Sequence, residues 1–75
     1  MKPEWKRKAR VSWLRKNGHR YSHTVWRDDA LGVQRETIAN SRGKRSTSYF
    51  IDGDKREFDT EGEMLAALKG KGGAE

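Results

Sequence analysis

The chain has 75 residues and a formal net charge of +6, while Val, Leu, Ile and Phe together number only 11. A chain this short holds one domain at most and buries only about 60% of its unfolded surface, so its three Trp, two Tyr and two Met must supply much of the core. With no Cys, disulfide staples, thiolate zinc sites and redox chemistry are excluded.

The charge is unevenly spread. Residues 1–27 carry nine Lys or Arg and one acid, whereas residues 28–54 and 55–75 each carry four bases and five acids. All three Trp, at 5, 13 and 26, lie in the same basic third. No apolar run approaches the roughly 20 residues of a spanning helix, and the start is basic where a signal peptide would be apolar. The expected location is therefore the cytoplasm, with nucleoid association if the partner is DNA.

Taken in chain order, residues 1–9 predict a flexible basic arm in which Lys6, Arg7 and Lys8 follow Trp5. Residues 10–69 predict a single α+β domain. Val11–Lys16 and Arg20–Trp26 are rich in β-branched and aromatic residues and flank Asn17-Gly18, a two-residue hairpin turn. Gly32–Ala39 and Ser46–Ile51 predict a second hairpin with its tip at Asn40–Arg45. Asp52-Gly53-Asp54 turns the chain into a short strand, Lys55–Phe58, which gives a small antiparallel sheet of four or five strands. Thr60-Glu61-Gly62-Glu63 fits a capping box, and Met64, Leu65 and Leu68 fall on one helical face. Lys69 suits the negative end of that helix and Gly70 its stop. About ten residues are not helical alone, so the helix must pack on the sheet. Residues 70–75 predict a disordered tail.

A two-residue turn at Asn17-Gly18 fixes the pairing of the first hairpin, with Arg15 opposite Arg20 and Trp13 opposite Ser22. One face then holds Leu14, Tyr21, His23 and Val25, suited to packing on the helix. The other holds Val11, Trp13, Arg15, Arg20, Ser22, Thr24 and Trp26, and two directly opposed arginines there favour an anion between them. Cations for phosphates and flat rings for bases are what a nucleic-acid surface needs. A register error of one residue exchanges the faces and makes Val11 and Trp13 core. The tip residues Arg42, Lys44 and Arg45, around Gly43, form a second candidate phosphate contact, and Lys6, Arg7 and Lys8 a third.

No catalytic or cofactor constellation emerges. His19 and His23 lack acidic or thiolate neighbours in sequence, so no metal site is expected. Asp28-Asp29 and Asp52-Gly53-Asp54 read as turn formers, and no nucleophile, base and orienter set is present. The expectation is a non-enzyme.

The stretch Ser12–Tyr21 with the hydroxyl-rich strand to Asp28, together with Arg56–Leu68, resembles the opening hairpin, closing strand and C-terminal helix of the arm-type DNA-binding domains of phage and transposon tyrosine recombinases. The resemblance covers about half the chain, with residues 30–55 as an insertion and no recombinase catalytic domain. It implies a sheet that contacts the DNA major groove through Trp13, Arg15 and Arg20, with Ser22 and Thr24 beside them.

The leading expectation is thus a non-enzymatic DNA-binding protein with a basic aromatic sheet face. RNA is an alternative partner served by the same residue types. From another functional class, the size and design resemble small phage-type accessory or inhibitor proteins, including anti-CRISPR proteins, that bind an acidic protein surface or a nucleoprotein. An unpaired sheet edge also invites a homodimer.

Overall fold

The computed structural model describes residues 2–72. Four strands, β1 (Lys6–Leu14), β2 (Arg20–Asp28), β3 (Val33–Asn40) and β4 (Arg45–Ile51), precede one helix, α1 (Glu61–Gly72). The strands form an antiparallel meander in the order β1-β2-β3-β4, so the small α+β architecture is as expected. The segment Lys55–Phe58 contributes a single bridge, Phe58 against Tyr49 on the edge of β4, in place of a fifth strand.

The first hairpin closes one residue differently from the expectation. The Arg15 N–H donates to His19 O at 3.0 Å and the Gly18 N–H to Arg15 O at 2.9 Å, which makes a three-residue loop. Gly18 takes the left-handed conformation at φ 82°, the bulge that follows a type I turn in such loops. The Asn17 side chain holds the loop by accepting from the His19 N–H at 3.0 Å. The β3–β4 tip repeats this design: the Asn40 N–H donates to Lys44 O at 3.0 Å, and Gly43 has φ 88°. An Asn-Gly pair fits both loop lengths, so the pair alone does not fix the register.

The consequence is the slip anticipated for a one-residue error. Leu14 pairs with Arg20, Trp13 with Tyr21 and Ser12 with Ser22. Trp13, Val11 and Arg15 therefore leave the Ser22–Thr24–Trp26 face, and the supposed Arg15–Arg20 opposition does not form. A bulge at Arg7 and Lys8 restores alternation before Lys6 meets Arg27.

The helix begins as its sequence indicates. Thr60 Oγ1 accepts from the Glu63 N–H at 3.1 Å, and Glu61 and Glu63 complement the positive end. The helix runs two residues past Gly70; the glycine there costs about 1 kcal/mol relative to Ala without forcing a stop. Met64 is fully buried against Val33, Ile51 and Phe58, with Leu31, Leu65 and Leu68 packed around them. This core covers one end of the face that carries Val33, Tyr49 and Ile51. The expectation that α1 would pack on Tyr21, His23 and Val25 is corrected, because Val33 and Ile51, paired across β3 and β4, lie on the opposite face.

The N-terminal residues are tied down rather than free. The Glu4 N–H donates to Asp28 Oδ2 at 2.9 Å, the Trp5 indole N–H to Glu61 Oε1 at 2.7 Å, and Lys6, Arg7 and Lys8 lie in β1. The predicted arm becomes an edge strand because Trp5 finds a place between the helix and the sheet. Beyond the helix the sheet extends bare, giving a molecule of 51 × 19 × 19 Å.

Candidate nucleic-acid interface

The sheet has two faces of different character. On the helix-side face, cross-strand pairing stacks residues into rows. Arg7, Trp26, Arg35 and Tyr49 form the row next to the core; Arg10, Thr24, Thr37 and Thr47 form the next; Ser12, Ser22, Ala39 and Arg45 form the third. Successive rows are about 7 Å apart, two residues along a strand. The middle of the second and third rows is short side chains, and Thr24 is only 8% exposed. Longer residues surround them, and the result is a trough of about 410 Å³. Arg7, Arg10, Arg35 and Arg45 line it together with the hydroxyl residues Ser22, Thr24, Thr37 and Thr47, and no Asp or Glu does so. A second recess of about 190 Å³ continues along the bare sheet past Ser12, Arg20 and Ser41.

Arg35 is the most organised of these cations. Its guanidinium carbon lies 4.2 Å from the Trp26 ring centroid and 5.2 Å from that of Trp5. The two contacts fix the guanidinium plane by cation–π attraction. Its Nε is buried without a hydrogen-bond partner. Among the described residues Arg7, Arg10, Arg35 and Arg45 form no salt bridge.

The outer face spends its charges internally. Arg27 bonds Asp52 at 2.6 Å and Asp29 at 2.8 Å. These bonds, Asp52 first, raise the Arg27 pKa far above its ordinary value and hold Asp52 below the usual carboxylate range. Asp29 is lowered by Arg27 and by Lys8, whose Nζ lies 3.2 Å away. Asp28 is lowered by the backbone N–H groups of Glu4 and Leu31. His23 Nε2 meets Glu36 Oε1 at 2.7 Å, a partner from the neighbouring strand that the sequence order concealed. No metal-ligating group of three or more His, Cys, Asp or Glu occurs among the described residues.

The expected site residues are therefore split. Arg7, Arg20, Ser22, Thr24, Trp26 and Arg45 share the helix-side face. Trp13 and Lys6 are on the outer face, where Trp13 stacks on Tyr21 with centroids 5.9 Å apart. Arg15 leaves β1, and its guanidinium lies 5.4 Å from the Tyr21 centroid. Lys8 sits in the bulge, and Arg42 and Lys44 are exposed at the β3–β4 tip. Arg10, Arg35, Thr37, Thr47 and Tyr49 were not among the expected residues. The alternation Arg35-x-Thr37-x-Ala39 against Arg45-x-Thr47-x-Tyr49 is the signal that places them together.

No protein-family model, curated protein or solved structure matches this chain.

Proposed function

We propose that this chain is a non-enzymatic nucleic-acid-binding protein, with DNA the first candidate, that holds the sugar–phosphate backbone on the helix-side trough. One observation carries the reading: four arginines and four serine or threonine residues line a recess that no carboxylate lines, in a protein with eleven acidic residues. Arginine forks and hydroxyl groups are the usual donors to phosphate oxygens. With DNA as the partner, a cytoplasmic, nucleoid-associated location follows.

The test is fluorescence anisotropy with labelled random-sequence DNA at two salt concentrations. Binding should weaken steeply with salt, by roughly 0.9 in log K per log salt for each phosphate neutralised on duplex and roughly 0.7 on single strands. The double substitution Arg10→Ala/Arg45→Ala should reduce affinity by about tenfold or more and flatten the slope by one to two phosphates' worth. Unchanged binding would remove the trough from the interface.

A second reading is supported by the bare end of the sheet. On the outer face Val11 is 59% exposed and Ile38 47%, with Trp13 at 38% beside them. Such a patch suits a protein partner, as in the phage-type inhibitor class. A partner protein captured by wild type but lost with Val11→Ser/Trp13→Ser, in a chain that ignores DNA, would select it.

A further inference from the structure

We infer that the trough takes a single-stranded polynucleotide and not a duplex, an inference that rests on the nucleic-acid reading above. The first reason is width. Four strands span three spacings, about 14 Å of backbone before any side chain, and the molecule measures 19 Å across each short axis. The major groove of B-DNA is about 12 Å wide and admits a helix or a two-stranded ribbon. This face cannot enter it, so a duplex would meet only the rim.

The second reason is depth. The floor is Thr24, Thr37 and Ala39, below walls made by Arg10, Trp26 and Arg45. The trough volume of about 410 Å³ lies within the roughly 300–1,000 Å³ of pockets that enclose small molecules, a size for a splayed nucleotide. Stacked, paired bases cannot project into such a recess, whereas the unstacked bases of a single strand can.

The third reason is Arg35. Its cation is packed on Trp26 and Trp5 and so is held in place at the core-side end of the trough. A phosphate oxygen or an acceptor on a base edge suits a guanidinium fixed there. Trp26 and Tyr49 beside it supply the aromatic surface that single-strand binders use, where each base stacked contributes about 1–3 kcal/mol. The adjoining recess at Ser12, Arg20 and Ser41 continues the path along the sheet, as a linear chain requires.

The test compares labelled oligothymidine and oligouridine of about 15 nucleotides with a blunt duplex of equal length, at one salt concentration, against the full chain. Either single strand should bind at least about tenfold tighter than the duplex. Thr37→Phe, which fills the floor and leaves every cation in place, should abolish that preference while weak salt-sensitive binding persists. Ala39→Phe does the same one row away, and each variant is first matched to wild type by thermal melting, so that loss of fold is not read as loss of the site. A duplex that binds as tightly as the single strands, or a single-strand preference untouched in both filled variants, overturns the inference and leaves the broader reading standing. No binding of any of the three at low salt overturns both.

Discussion

The two faces of this sheet draw on the same four strands, yet they use charge in opposite ways. On the outer face Arg27 is held by Asp52 and Asp29, and His23 by Glu36. On the helix-side face Arg7, Arg10, Arg35 and Arg45 share a recess with hydroxyls and aromatic rings and no carboxylate. Counting charge along the chain hides this. The middle third has a slight acidic excess, yet it supplies two of the four trough arginines, Arg35 and Arg45. Its acids are engaged elsewhere: Asp28 accepts backbone N–H groups, Asp29 and Asp52 face Arg27, Glu36 faces His23, and Asp54 pairs with Arg56 at 2.7 Å. A surface becomes a candidate for anions by where its carboxylates are withheld, and the total charge says little about that.

The faces also differ in what holds them. Only the helix-side face has a lid, and that lid is anchored by one fully buried side chain, Met64. Met64→Ala should cost about 2–5 kcal/mol, comparable to the whole stability expected of so small a core. Chemical denaturation should show a largely unfolded variant, and the trough should vanish with the helix. A variant that melts like wild type would mean that the sheet stands without its lid.

Much of this architecture was legible from the sequence. Both hairpins, the Thr60 cap and the apolar helix face at Met64, Leu65 and Leu68 follow from local chemistry and recur in the structure. The register did not follow, because Asn17-Gly18 suits a two- or a three-residue loop, and the difference of one residue moves Trp13 and Arg15 to the other face. The role of Trp5 was equally hidden: its indole N–H reaches Glu61 across 56 positions, a contact no local pattern carries. Arg35 was missed because its value lies in Trp5 and Trp26, which only the folded sheet brings to its sides.

The outer-face network can be tested through pH. Asp52 and Asp29 have folded pKa values below the ordinary value near 3.9. They therefore contribute stability that is present above about pH 4 and is lost as pH falls through their folded values. Arg27→Ala removes the hydrogen bonds that lower both most. Its melting temperature should lie below that of wild type at pH 7, and the gap should narrow between about pH 4 and pH 2. Both carboxylates are well exposed, so the gap will be modest and salt will shrink it. DNA binding should stay within about twofold of wild type, because Arg27 faces away from the trough. A gap that widens in acid would place the stabilising contacts of Arg27 elsewhere.

The smallest expected effect is the sharpest on the register. With a two-residue turn, Arg15 would oppose Arg20 and sit among Ser22, Thr24 and Trp26. In the structure Arg15 belongs to the loop and lies over Tyr21, on the far side from the trough. Arg15→Ala should thus change DNA affinity by less than about twofold, roughly the weight of one distant, screened charge. Its stability cost should be no more than the 0.5–1 kcal/mol or so of an exposed cation–π contact. Arg10→Ala, in the same row as Thr37 and Thr47, should have the greater effect on binding although both residues come from the same strand region and carry the same charge. Equal losses from the two substitutions would mean that only total charge matters, and the distinction between the faces would then have no functional content.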